Sequence, residues 1–326
     1  MKRLAAALLA AAGMATASHA ATPVEVIYFP GGANWPLWVA QEKGFFATNG
    51  LDVKFTPTPN SVFLVQGLLS GKFQVGHAAF DNVVAYQEGQ GEAEIPGTPD
   101  LCAFMGGQVG GLRLMAAPDI KSFADLKGKS LGVDAATTGF AFALRKMLQA
   151  GGLAENDYTL ERMGNTAART EALMQGKTPA TIVTSPLELL PESKGFHRLG
   201  NAAEMLGPYQ AIVGIVRRGW ARENEATVVA YVRSYLAGLQ WLQDVRNRAE
   251  AVAIYRKNIP SASEAGAQGA YDALLGGGEG LERSGRIDRA GAQTVLKLRS
   301  EFGRPQKNLG DPSKYMDDSY YRKAAP

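Results

Sequence analysis

Val24-Glu25-Val26-Ile27-Tyr28-Phe29, then Asn34-Trp35-Pro36-Leu37-Trp38-Val39-Ala40-Gln41-Glu42-Lys43-Gly44-Phe45-Phe46-Ala47, then Gly50-Leu51-Asp52-Val53-Lys54-Phe55-Thr56: how these three pieces are read decides the fold. The first mixes β-branched and aromatic residues and reads as a strand. The second carries Pro36 where a helix accepts proline, at its start, and predicts a helix over Pro36–Ala47. Gly50 closes that helix, and Leu51–Thr56 alternates apolar and polar residues as a second strand.

The same alternation continues downstream. Ser61–Leu69 is expected as a helix, Phe73–His77 as a strand and Asn82–Gln87 as a short helix. A second set begins near Gly111. Ser122-x-x-Asp125 matches a capping box, Ser130–Asp134 is a strand, Thr138–Leu148 a helix, Tyr158–Met163 a strand, Thr166–Met174 a helix and Ala180–Thr184 a buried strand. Repeated strand–helix units argue for an α/β architecture with helices on both faces of each sheet. From about Asn224 the pattern turns wholly helical. Val228, Tyr231, Val232, Tyr235, Leu239, Leu242 and Val245 recur at helical spacing, so that helix buries one face. Trp241 and Tyr255 on these helices are expected in packing, and Gly276–Arg286 as a loop.

Upstream, Lys2 and Arg3 precede an uncharged apolar run from Leu4 to Ala12, and Ser18-His19-Ala20 ends it with a small-x-small pattern. This order is that of a cleaved secretory signal peptide over residues 1–20, and the run is too short to span a bilayer. With no Cys at the cleavage site to carry a lipid, the expected product is a soluble protein exported to the periplasm. The formal net charge is +3, and loss of Lys2 and Arg3 leaves +1. A chain so balanced, with no Lys/Arg stripe, gives no footprint for nucleic acid. About 300 mature residues exceed one comfortable core, so two lobes are expected. Cys102 is the only cysteine, which rules out an internal disulfide, and it lies in the apolar run Leu101–Met105, where it is expected buried and inert. His77 and His197 stand apart with no acidic cluster beside them, so no zinc site and no cofactor is expected.

The segment Asn34–Phe46, followed by Gly50-Leu51-Asp52-Val53, resembles the opening of the NMT1/THI5-like group of importer binding proteins, whose members take nitrate, sulfonates, taurine or thiamine precursors. Leu68-Leu69-Ser70-Gly71-Lys72-Phe73-Gln74-Val75-Gly76 resembles a second segment of that family, with Gln74 where the family usually has Asp. Ile120–Lys129 and Ala172–Lys177 are similar to two later ones, although Thr178-Pro179-Ala180 replaces the usual Asp-Ala continuation. The resemblance covers residues 24–220 well and the helical tail loosely. It implies a type II periplasmic binding protein fold: two α/β lobes joined by two crossing hinge strands, with a helical C-terminal part. Lobe one would comprise residues 21–111 and 210–326 and lobe two residues 112–209, with Gly111–Ala116 and Gln210–Arg217 at the crossings. The implied partners are a small-molecule ligand and an ABC permease with its ATPase, and the protein is expected as a monomer. Two enzymes, a yeast pyrimidine-precursor synthase and a bacterial desulfinase, share the fold but resemble catalysts built on cysteines. Cys102 alone in an apolar strand argues against that chemistry here. A periplasmic sensor subunit would carry the same sequence features as an importer component.

In open α/β sheets, ligands bind beyond the carboxyl ends of the strands, against helix N-termini. The candidate ligand-binding residues are therefore those at strand-to-helix junctions: Asn34 and Trp35, Asn60 and Ser61, Asp81 and Asn82, Thr137 and Thr138, and Ser185. Free backbone N–H groups there attract anions or carbonyl oxygens. The same residue types also serve as plain helix caps. Trp35, placed just before Pro36, could offer its face to a ring or staple its loop, while Trp38 is expected in the core. No junction carries Lys or Arg and Asp81 is negative, which points to a neutral, singly charged or ring-bearing ligand: an aromatic acid, a pyrimidine or a small sulfonate.

Overall fold

The computed structural model describes residues 20–93, 95, 97 and 99–325. The leader, with Lys2, Arg3 and the Ser18-His19 part of its cleavage site, lies outside the described residues. Among them no helix is long and apolar enough to cross a membrane.

Two sheets organise the chain. The first is built from β1 (Thr22–Tyr28), β2 (Leu51–Pro57), β3 (Val75–Ala79) and β4 (Leu101–Val109). The second holds β5 (Leu112–Ala116), β6 (Lys129–Val133), β7 (Tyr158–Arg162), β8 (Ala180–Thr184) and β9 (His197–Asn201). β10 (Gln210–Arg217) and β11 (Gly280–Leu281) return to the first. The strand orders are β11-β4-β10-β3-β1-β2 and β7-β6-β8-β5-β9. β1 lies parallel to β2 and β3, as short strand–helix–strand units require. β10 runs antiparallel between β3 and β4. All five residues of β3 and seven of eight in β10 are buried, the mark of strands covered on both faces.

The chain passes between the sheets at Gly110–Gly111 and between Asn201 and Gln210. Of the two segments expected at the crossings, only Gly111 lies in one: Leu112–Ala116 and Gln210–Arg217 are strands within the second and first sheets, and the connections precede them. Glu279 ties one crossing down: its Oε2 accepts from Gly111 N and Arg113 Nη1, both at 2.6 Å, and its Oε1 from Asn201 Nδ2 at 2.9 Å.

Several elements differ from expectation. The helix expected over Pro36–Ala47 is two helices, Trp35–Glu42 and Phe45–Thr48, because Gly44 takes a φ of 71° that no other residue adopts there cheaply. The third strand starts at Val75 rather than Phe73, whose N–H instead donates to Gly67 O and whose ring is buried. Gln74, standing where the resemblance has Asp, accepts from Glu25 N and so fixes this turn to β1. The edge strand β9 went unread because His197-Arg198-Leu199-Gly200-Asn201 is mostly polar. The Gly276–Arg286 loop contains β11, which pairs with β4. The Ser122/Asp125 capping box is present and opens a single 3-10 turn, Phe123–Leu126.

Helix Glu225–Gln243 buries Val228, Tyr231, Val232, Tyr235, Leu239 and Leu242 against the first lobe. Val245 lies past its end and is 70% exposed. Helix Arg289–Phe302 closes the fold across both lobes. It packs on Phe80–Gln87 and on Gly139–Ala150, where Phe302 meets Phe142 at a centroid distance of 5.8 Å.

Candidate functional site

Each parallel strand leads through a short connection or directly into a helix, so the carboxyl ends of strands from both sheets and the first turns of their helices face one another. A narrow cleft lies between them, part of it open to solvent. On one side stand Phe29, Pro30 and Asn34 after β1, Ser61, His77 of β3, Asn82 and Ile212. On the other stand Asp134 after β6, Thr138, Gly139 and Phe140, then Thr166 and Arg169 of helix Thr166–Met174, and Thr184. The lobes are closed on each other. Ser61 N donates to Asp134 Oδ2 at 3.1 Å, Asn165 N to Pro59 O at 3.0 Å, and Asn165 Nδ2 to Thr58 O at 2.9 Å.

Four of the sequence-derived candidates line this cavity: Asn34, Ser61, Asn82 and Thr138. Asn34 is held by Nδ2 bonds to Phe29 O and Gly31 O, Asn82 by one to Ala79 O, and Thr138 by an Oγ1 bond to Ala135 O. Five candidates are not part of its lining. Trp35 is wholly buried in the first lobe, with Nε1 donating to Ala251 O and its ring against Tyr255 and Tyr271, so no face is left for a ligand. Trp38 is buried beside it, as expected. Asn60 caps its helix by accepting from Phe63 N. Thr137 donates to Glu92, and Ser185 to Glu188 Oε1 at 2.8 Å.

Asp81 requires the largest correction. It does not present a free negative charge, because Arg299, from the C-terminal helix, meets it with Nε at 2.5 Å and Nη2 at 2.6 Å. Both side chains are buried. Arg299 Nη2 also donates to Thr137 O, 2.8 Å away in the other lobe, and Nη1 to Gln90 O. A partner 218 residues distant leaves no local signal in the sequence.

Charge enters the cavity through residues that the junction argument did not single out. Arg169 is 1% exposed, and burial pushes its guanidinium down to about 10, so it stays charged at neutral pH. Its Nε donates to Thr181 Oγ1, Nη1 to Gly164 O, and Nη2 to Thr166 Oγ1 and Ile182 O. Asp134, 9% exposed, was legible as the end of the Ser130–Asp134 strand; Arg169, mid-helix, carried no such mark.

His77 is 2% exposed, with Nε2 2.9 Å from the Tyr231 hydroxyl. Burial lowers its pKa to about 3. The unfolded chain protonates this ring below about 6.5 while the folded chain does not, so stability is full above that pH and falls as pH drops toward 3. His77→Gln should remove this term, which amounts to up to about 1.4 kcal/mol per pH unit inside that window. Urea unfolding at pH 5 and pH 7.5 checks it: a wild-type minus variant difference that does not change with pH contradicts the assignment.

The sequence profile described as "NMT1/THI5 like" matches residues 34–249. The chain belongs to the NMT1/THI5-like family. Among curated proteins, it is 26% identical over 242 residues to the riboflavin-binding protein RibY of Chloroflexus aurantiacus, an alignment that covers 72% of this chain and 65% of that relative's length. Among solved structures it is similar to the periplasmic nitrate-binding protein NrtA of Synechocystis, with a TM-score of 0.77 at 14% identity, over 93% of this chain and 88% of the other. It is also similar to the ligand-binding component of an ABC-type import system from Staphylococcus aureus, solved with zinc bound, with a TM-score of 0.74 at 14% identity, over 93% and 99% of the two chains. These likenesses establish that this NMT1/THI5-like chain has the periplasmic binding protein fold. Two of these proteins are named as binding proteins, for riboflavin and for nitrate, and the third as the ligand-binding component of an import system. Among the described residues of this family member, no group of three or more His, Cys, Asp or Glu is placed to hold a metal.

Proposed function

We propose that the chain is the periplasmic substrate-binding component of an ABC importer. It captures a small organic molecule of the aromatic acid, pyrimidine or sulfonate class between its lobes and delivers it as a monomer to an inner-membrane permease and its ATPase. The observation that carries this reading is the cleft itself. Helix N-termini and strand ends from two separate sheets converge on one cavity, and hydrogen bonds run from lobe to lobe beside it. Closure of two lobes around a ligand is a hinge motion that an importer can read as a change of shape. The aromatic lining from Phe29 and Phe140 suits a ring-bearing ligand, in keeping with the ligand named for the riboflavin-binding relative.

The alternative, an enzyme on this fold, has less support. Cys102 sits buried in β4, where burial pushes its thiol up to about 12, and a thiol held protonated is a poor nucleophile.

Gly139 gives the test. A Cβ at this position would lie 2.4 Å from Cβ of Asp81 in the facing lobe, and Asp81 cannot retreat because Arg299 grips it. Gly139→Ala should therefore hold the lobes apart. A thermal-shift screen of aromatic acids, pyrimidines and sulfonates should find a compound that binds the wild-type protein one to one, unchanged chemically, and X-ray scattering should show a smaller radius of gyration on binding. The variant should bind that compound at least tenfold more weakly and stay expanded, with its melting temperature close to that of the wild type. Conversion of the bound compound to a product would refute the receptor reading.

A further inference from the structure

The geometry points to Asp134 as the residue that sets which ligands the cavity accepts: a molecule presenting an N–H or O–H donor, neutral or cationic, in preference to an oxyanion. This rests on the receptor reading and narrows its ligand class. Asp134 follows β6 at the mouth of the second lobe and lines the cavity. One carboxylate oxygen, Oδ2, is used in closure, where it accepts from Ser61 N. The other, Oδ1, is enclosed and has no hydrogen-bond partner among the described residues. A buried carboxylate oxygen without a donor is costly, so the closed state is improved by any ligand that supplies one.

The opposing residue is Arg169, the cationic side chain in the lining that would otherwise favour an anion. Its hydrogen bonds are already committed to Thr181, Gly164, Thr166 and Ile182, which leaves a single N–H, on Nη1, of the five a guanidinium carries. It also forms no ion pair with Asp134 at salt-bridge distance, since each of its bonds goes to a hydroxyl or a carbonyl. An oxyanion placed here would meet one spare donor on Arg169 and, beside it, the Asp134 carboxylate. A donor such as a ring N–H, an amino group or an imide would meet an acceptor that has nothing else to bind. The arrangement selects by charge and by hydrogen-bond polarity together.

Asp134→Asn reverses the polarity at one atom. The amide oxygen can keep the Ser61 bond, and the amide nitrogen then stands as a donor where Oδ1 accepted. Calorimetry on the full mature chain would use riboflavin, uracil and 4-aminopyridine as donor probes, and nitrate, methanesulfonate and benzoate as oxyanion probes. Wild type should bind at least one donor probe more tightly than every oxyanion, and Asp134→Asn should weaken that binding at least tenfold while leaving oxyanion binding equal or stronger. An oxyanion bound by wild type as tightly as any donor probe overturns the inference and leaves the receptor reading standing. Unchanged donor affinity in the variant also overturns it. Silence of all six probes counts against both. The wild-type comparison stands by itself if the variant does not fold, and circular dichroism establishes whether it does.

Discussion

Replacing Arg299 with methionine should destabilise the protein by about 3–5 kcal/mol, the cost of stranding a buried charge. The guanidinium is wholly enclosed and Asp81 nearly so, and no other cation of the described residues is paired with that carboxylate. The same change removes the bond to Thr137 O that pins the C-terminal helix to the second lobe, and the contact of the guanidinium with the Phe142 ring at 4.7 Å. Adding Asp81→Asn to Arg299→Met should recover a good part of the loss, because a neutral amide is far cheaper to leave buried than a carboxylate. Denaturant unfolding of wild type, both single variants and the double variant closes the cycle. If Arg299→Met lies within 1 kcal/mol of wild type, as a typical surface ion pair would, the pair is not the anchor described here.

Trp35→Ala is the second large effect, at about 3–5 kcal/mol, the range for truncating a buried aromatic side chain. It empties the space between the first helix and the C-terminal helices and removes the bond from Nε1 to the Ala251 carbonyl. The chain that still folds should bind its ligand with wild-type affinity, since the ring never reaches the cleft. A loss of affinity with unchanged stability would return Trp35 to the binding site. The sequence alone left these two outcomes open, since a tryptophan before a proline in a Gly-rich loop is compatible with either.

That ambiguity is typical of what could and could not be read in advance. The alternation of strands and helices was legible because mostly buried strands such as Ala180–Thr184 and capped helices such as Ser61–Leu69 carry their signals within a few residues. The junction rule found Asn34, Ser61, Asn82 and Thr138 because a cleft at strand ends is a property of the topology. It could not tell them from Asn60, which caps its own helix, or Ser185, which bonds Glu188 in the turn ahead of the next helix, since cap and contact use the same residue types. Nor could it pair Asp81 with Arg299 or see Arg169, because those depend on which distant helix lies alongside. Polar edge strands such as β9 fail for a related reason: one buried residue in five leaves no period to detect.

The strand order of the first sheet also has a consequence for how the chain assembles. β3 and β4 follow one another along the chain, yet β10 lies between them, so Gly76 pairs with Ile215 and Cys102 with Val216 across more than a hundred residues. The second sheet draws all its strands from Leu112–Asn201 and can complete itself as soon as that stretch is free. The first must hold two apolar edges apart until Gln210–Arg217 arrives, and contacts so distant in sequence form slowly. For a chain delivered from its N-terminus, the half that comes first is thus the half that finishes last, and its unpaired β3 edge is the surface most exposed to mispairing on the way.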